Sequence, residues 1–304
     1  MTAADDRRLQ PRLSVVVAAW SGSDELRACL NSLFAAIDAT QDEVIVARNF
    51  AFTGEPESAA ATRPSVDIAR HGAAVPELRA AGLARATGSI VAFIEDHCTC
   101  GPGWRDAIVA GHHFPVAGVG GPVDLGRGGR PLDWAVYFYD YARFMPPMPA
   151  GTVSSLSGAN MSWKQSFLAE LQPQLQTDVL EVTLMSECLR RGSEMSLAPA
   201  AIVNYRKRNA AGPAVRLAFH LARGYAARRV TGHGTGRRLV LAAAAVLLPA
   251  VLGARIVAST LRSPRNMGRL LGAAPWLVVL LVLWSLGEGT GYVAGKGDSH
   301  GQWR

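Results

Sequence analysis

The chain has 304 residues, a formal charge of +7 and 49% hydrophobic residues, room for one large domain or two modest ones. Its charge is uneven: residues 1–194 hold 16 Lys/Arg against 22 Asp/Glu, whereas residues 195–287 hold 13 Lys/Arg and no acid. A basic stretch beside apolar runs points to anionic membrane lipids, and the aromatics are not interleaved as base-stacking platforms, so no nucleic-acid partner is expected.

The opening MTAADDRRLQPR is polar and lacks the apolar centre of a signal peptide. The front half is therefore expected in the reducing cytoplasm, where the sequon at Asn160–Ser162 is idle. Cys29, Cys98, Cys100 and Cys188 show no disulfide-scaffold spacing.

Leu13–Ala19 (LSVVVAA) predicts a buried strand. Ser23 or Asp24 can cap a helix carrying Leu26, Leu30, Leu33, Phe34 and Ile37 at helical spacing. Glu43–Ala47 is a second strand, residues 51–64 a surface loop, and Val66–Arg70 a third strand. Pro76 opens a helix through Arg85, stopped by Gly88. Strand and helix alternate, which predicts a mostly parallel sheet covered on both faces.

The next strand, Ile90–Ile94, ends abruptly in Glu95, Asp96 and His97, before the break at Gly101–Gly103. Ionisable side chains at the carboxyl end of a buried strand sit where open α/β sheets bind ligands. Carboxylate and imidazole side by side can hold a divalent cation, and a cation there can hold a phosphate. A solvated strand-to-loop turn is the alternative. Cys98 and Cys100 with His97 suit a soft metal, or are small residues packed below a loop.

A helix is expected from residue 104 through His113, and a strand over Val116–Val123. Residues 124–131 read as a flexible connector. The aromatic run Asp133–Phe144 lines a sugar or lipid groove or belongs to the core. Gly158–Trp163 reads as a strand and Asp178–Arg191 as a helix, and Glu194–Tyr205 contains another strand. Pro213–Val230 is basic and amphipathic, suited to a membrane surface or to packing on the domain. Leu239–Leu261 and Leu270–Leu286 are long apolar stretches near the lower limit for crossing a bilayer. Arginines flank both ends of the first stretch (Arg228, Arg229, Arg237, Arg238; then Arg262, Arg265, Arg269). The positive-inside preference would keep both ends cytoplasmic, which a re-entrant or interfacial hairpin satisfies.

Four segments, SVVVAAW…LRACLNSL, ELRAAGLARATGSIVAFIEDH, LSGANMSWKQSFL and LEVTLMSECLRRG, resemble the inverting, nucleotide-sugar-dependent glycosyltransferases of the GT-A fold, family 2-like. The family includes dolichol-phosphate-sugar synthases and many polysaccharide transferases. The resemblance covers about residues 12–205, and the ending WSLGEGTGYVAGK looks like the membrane tail of bacterial members. It implies a Rossmann-like GT-A domain over 12–205 between a polar tail (1–11) and a basic juxtamembrane segment (206–237). Two apolar membrane helices (238–287) and a polar tail (288–304) follow.

The family's strand-end Asp-x-Asp binds the metal that holds the nucleotide diphosphate. The resemblance puts Glu95 and His97 at its two positions with Asp96 between them, and so implies Mn²⁺ or Mg²⁺ held by His97, Glu95 and Asp96. Arg79 matches the family arginine that contacts the nucleotide. Ala18 and Trp20 occupy the donor-binding segment after the first strand. Gly158 and Asn160 match the segment near donor sugar and acceptor, and Trp163 either stacks on a sugar or packs. Glu181 falls at the catalytic base, which takes the proton of the acceptor hydroxyl.

Two departures stand out. The family's Pro-Thr-Tyr-Asn is here Ala18-Ala19-Trp20-Ser21, and its uracil-reading Asp is here Arg48. The expectation is a metal-assisted transferase at the cytoplasmic face of the cell membrane, moving a sugar to a lipid-linked or glycan acceptor. The alternative is a non-catalytic nucleotide- or sugar-binding scaffold of the same fold. GHGTG at 232–236 follows no strand, so a dinucleotide fingerprint is rejected, and an unrelated Rossmann-like enzyme is the least favoured reading because no Gly-rich loop follows Leu13–Ala19.

Overall fold

The computed structural model describes residues 13–51, 66–126 and 128–299. The expected surface loop at 51–64 lies outside the described residues, apart from Ala51. The chain divides into two compact units, Met1–Gly126 with Pro146–Lys207, and Arg127–Met145 with Arg208–Arg304.

The first unit begins with β1 (Leu13–Ala19), buried along its whole length as a β-branched run covered on both faces must be. Helix α1 (Ser23–Phe34) follows, with Gly22 as its N-cap rather than Ser23 or Asp24. Asp24 and Glu25 fall in the first turn, where the helix dipole favours acids, and Ile37 lies beyond the helix end. Strands β2 (Asp42–Arg48) and β3 (Val66–Ala69), helix α2 (Val75–Leu83) and strand β4 (Ile90–Glu95) complete the first half. β1 pairs in parallel with β2 and β4, and β2 with β3.

Strand β5 (Cys98–Cys100) and helix α3 (Trp104–Gly111) come next. The single strand expected over Val116–Val123 is two: β6 (Gly118–Gly120) and β7 (Val123–Asp124), in different sheets. The break has a cause: Pro122 has no N–H for a ladder, and Gly121 presses so closely on the Ala201 carbonyl that no side chain fits. Helix α4 (Pro131–Tyr141) belongs to the second unit.

After β8 (Gly151–Val153), strand β9 (Asn160–Lys164) inserts antiparallel between β4 and β6. Helices α5 (Gln165–Glu170), α6 (Gln172–Leu175) and α7 (Glu181–Arg190) follow, then β10 (Met195–Leu197) and β11 (Val203–Tyr205). Among the described residues the main sheet runs β3-β2-β1-β4-β9-β6-β10-β8 and a small sheet runs β5-β11-β7. Helix α7 starts later than Asp178 because the Val179 amide donates to the Pro76 carbonyl (2.9 Å), holding the approach against α2. That contact sets Glu181 on the first turn of α7. The main core gathers Val16, Ile45, Phe93, Met161, Trp163 and Leu184 around the sheet.

The second unit holds α4, α8 (Ala211–Arg229), α9 (Thr235–Ala245), α10 (Leu248–Leu261) and α11 (Met267–Ala294). The aromatic segment expected in the 12–205 domain packs here instead: Tyr139 meets the Trp284 ring edge-on at 5.4 Å, and the Arg269 guanidinium lies 4.5 Å from the Trp134 ring centre. Helices α8 and α11 meet through small residues, since a side chain at Gly287 or Gly291 would strike the carbonyl of Phe219 or Arg223. Helix α11 continues past the expected tail boundary at 288. Glu288 is buried there, accepting from Trp284 Nε1 (2.9 Å), Tyr292 Oη (2.6 Å) and Arg229 (2.9 Å). Among the described residues one segment, Pro264–Ala294, is long and apolar enough to cross a membrane. Instead of a straight first membrane helix, α9 and α10 form a pair bent by 56°.

Candidate active site

In the main sheet β2 and β3 lie on one side of β1 and β4 on the other, so chain order reverses at β1–β4. The carboxyl ends of two parallel strands at such a switch point diverge into a crevice that accepts ligands. Here Ala18 stands opposite Glu95, Trp20 and Ser21 leave β1, and Asp96 and His97 leave β4.

Asp96 is fully buried and holds the two exits together. Its Oδ2 accepts from the amides of Trp20 (2.8 Å) and Ser21 (2.7 Å), and its own amide donates to the Ala18 carbonyl (3.3 Å). The His97 ring stands between Ser21 Oγ, 3.3 Å from Nδ1, and Glu95 Oε2, 3.3 Å from Nε2. Trp20 and Tyr205 pack edge-on against it, with centroids at 5.9 and 5.0 Å.

Arg79 on α2 joins the two acidic clusters. Its Nη2 donates to Glu95 Oε1 (2.7 Å) and to the Gly158 carbonyl (2.9 Å), and its Nη1 donates to Glu181 Oε2 (3.0 Å). The guanidinium is buried, and Glu181 remains 22% exposed, open enough for a hydroxyl to reach it. Gly158 permits the arrangement, for a Cβ there would come within 2.9 Å of Arg79 Nη2 and 3.4 Å of the Glu181 carboxylate.

Arg79, Glu95, Asp96, His97, Gly158, Glu181 and Trp20 thus form one constellation. Ala18 and Asn160 are buried outside it. Asn160 is saturated by the fold: Oδ1 accepts from Trp104 Nε1 (2.9 Å), and Nδ2 donates to the carbonyls of Pro122 (3.1 Å) and Ala201 (2.7 Å). Ala18 contributes only its backbone. Trp163 is fully buried and stacked on Phe167, a core residue rather than a sugar platform. Cys98 and Cys100 lie in the small sheet, and burial pushes the thiols of Cys29, Cys98 and Cys100 upward, so they stay protonated. Ser21, Tyr205 and Lys207 also reach the site. Their spacing gave no sign of it, and Lys207 reads in sequence as part of a basic juxtamembrane run.

The donors expected to hold the metal are turned toward partners within the protein. Both Glu95 oxygens are engaged, by Arg79 and by His97, and Asp96 Oδ2 serves two amides. The remaining Asp96 oxygen, Oδ1, is buried 3.7 Å from His97 Nδ1, while Nε2 of the same ring faces Glu95. Among the described residues no group of three or more His, Cys, Asp or Glu side chains is arranged to hold a metal ion.

A mixed α/β sheet with a polar crevice at its switch point is a scaffold that takes ligands at the carboxyl ends of its parallel strands. Residues 14–171 match the family model for glycosyl transferase family 2, and the chain belongs to that family. Membership implies transfer of a glycosyl group from a nucleotide-sugar donor to an acceptor. No curated protein sequence matches the chain significantly.

Proposed function

We propose that the protein transfers a sugar from a nucleotide-sugar donor to a hydroxyl of a lipid-linked or glycan acceptor, with inversion, at the cytoplasmic face of the cell membrane. The observation that carries the reading is the Arg79 bridge, which gathers the strand-end Glu95 and the helix-borne Glu181 around one guanidinium. Glu181 takes the proton from the acceptor hydroxyl as that oxygen attacks the anomeric carbon. The bond from that carbon to the diphosphate oxygen breaks on the opposite side, and the nucleoside diphosphate leaves. Arg79 fixes the carboxylate's direction, and Gly158 lets the backbone close on both. The acid-free, basic and apolar stretch over residues 195–287 supports a lipid-linked acceptor and attachment to anionic lipids.

The test is a panel of nucleotide sugars incubated with membranes, with product mass analysis, comparing the wild type with Glu181→Gln and His97→Ala. Transfer abolished by Glu181→Gln supports the assignment, and equal turnover in all three proteins overturns it. Arg48 favours a second reading, a non-catalytic scaffold. It pairs bidentately with Asp67 (2.8 and 3.0 Å), where family members carry a base-reading Asp. Nucleotide binding without turnover on any donor would support it.

A further inference from the structure

Helix α11 is long and apolar enough to cross a membrane, but both its ends are fastened in ways that a crossing would break. The chain passes between the two units at 126–127, 145–146 and 207–208. Met145 is the last residue before one of these passages. Its Sδ lies 3.0 Å from Nδ2 of Asn266, a fully buried residue directly before α11. Arg269, on the first turn of α11, lies over Trp134 of α4. The amino end of α11 is thus held beside chain that leads straight into the first unit, which puts it on that unit's side of a bilayer.

The carboxyl end is held by α8, which begins just past the third passage. Arg223 Nε donates to the Gly295 carbonyl (2.9 Å), and His220 Nδ1 lies 2.9 Å from Ser299 Oγ. Arg238, near the start of α9, donates to the carbonyls of Tyr292 (2.7 Å) and Val293 (3.2 Å). If α11 crossed, the chain from Arg208 to Phe219 would have to cross beside it, with the exposed Arg216 in hydrocarbon. The returning pair α9–α10 would carry Arg255 there too, exposed at the middle of α10 between Val251 and Val257. The uncharged run Leu270–Leu286 rises about 25 Å as a helix, less than the about 30 Å of a hydrocarbon core. What α11 does present is one apolar stripe, from Leu271 to Val293, while Leu270, Ala273, Leu277, Leu280 and Leu281 face the inside of the unit.

We infer that the second unit lies in a single leaflet of an anionic bilayer, with α11 in the membrane plane rather than across it, so that both ends of α11 stay on the side of the first unit. The inference rests on the membrane attachment proposed above. An apolar stripe with cations at both ends and no acid over residues 195–287 suits the boundary between acyl chains and anionic head groups.

The experiment labels single added cysteines with a membrane-impermeant maleimide, in sealed vesicles of each orientation from cells making the full-length protein. Ala84→Cys reports the side of the first unit, Arg262→Cys the amino end of α11 and Asp298→Cys its carboxyl end. All three positions are exposed, and wild type gives the background from its buried or partly buried cysteines. Arg262→Cys and Asp298→Cys should label in the orientation that labels Ala84→Cys and lose labelling in the other. Wild type should stay with the vesicles through a high-salt wash, because salt does not screen the apolar stripe. Labelling of either end from the opposite side, or protection of an end from both sides when it reacts in detergent, overturns the inference and leaves the attachment standing. Release by salt alone overturns it too, since the stripe is then outside the lipid. A protein recovered free of membranes without any wash ends both the inference and the attachment.

Discussion

Arg79 is the residue on which the site's geometry turns. A buried guanidinium between two carboxylates loses far more when one partner is removed than the pair contributes net, because the remaining charges stay buried. Arg79→Met should therefore lower unfolding stability by roughly 3–5 kcal/mol in denaturant titration. Adding Glu181→Gln should restore part of it, and purely additive losses would show that the bridge is not energetically coupled. His112 is a second buried group with a sharp consequence. Its Nε2 lies 2.9 Å from Ser162 Oγ, which donates onward to the Val119 carbonyl, so the ring is the donor. Nδ1 is buried without a hydrogen bond. Burial first, and Lys164 second, push the His112 pKa down to about 4. Between about pH 6.5 and pH 4 the unfolded chain takes a proton that the folded chain refuses, so stability falls as pH drops through that window. The loss at pH 4 should be about 3 kcal/mol. His112→Gln should lose this pH dependence in unfolding curves at pH 7 and pH 4.5.

Elements place these residues, and they were unequally legible. The parallel strands could be read because unbroken β-branched runs have few other uses. The antiparallel β9 could not be oriented, since pairing direction leaves no mark on a run as short as Asn160–Lys164. Glu181 could be matched by motif, but its place on the first turn of α7 depends on the Val179–Pro76 contact, which joins residues about a hundred apart. Asn160 was misleading for the opposite reason: a buried amide satisfying two carbonyls and an indole looks, in sequence, like a ligand-binding residue. The segment before β9 gives the sharpest test at this scale. Gly158→Ala places a methyl against Arg79 and the Glu181 carboxylate. Misplacing a positioned group by about 1 Å costs about a hundredfold, so the smaller displacement here should lower turnover by roughly several-fold with little change in stability. A Gly158→Ala protein as active as wild type would mean that the observed closeness is not needed for transfer.

At the scale of the whole molecule the two units divide the work: one carries the crevice, the other the apolar and basic surface. The second unit leaves large apolar side chains outside its own packing. Leu271, Val278, Val282, Leu286 and Val293 recur along one face of α11, and Val246 and Leu247 sit 75% and 65% exposed at the bend between α9 and α10. Arginines stand at both ends of the bent pair, and anionic head groups are the surface that matches cations beside exposed aliphatics. On the proposed attachment to a membrane surface, a bend of 56° would let both arginine-bearing ends stay on one side of a bilayer, with the apex dipping in. The apex is then the place where charge costs most, about 2.5–3.5 kcal/mol per lysine at the depth of a helix centre. Val246→Lys with Leu247→Lys, both on exposed positions, should leave folding intact. It should weaken flotation with vesicles of mixed anionic and neutral lipid, through the bent pair's share of the binding. Raising salt should weaken wild-type binding only in part, because the apolar share is not screened. A double-lysine protein that floats with the vesicles as fully as wild type would place the apex outside the lipid.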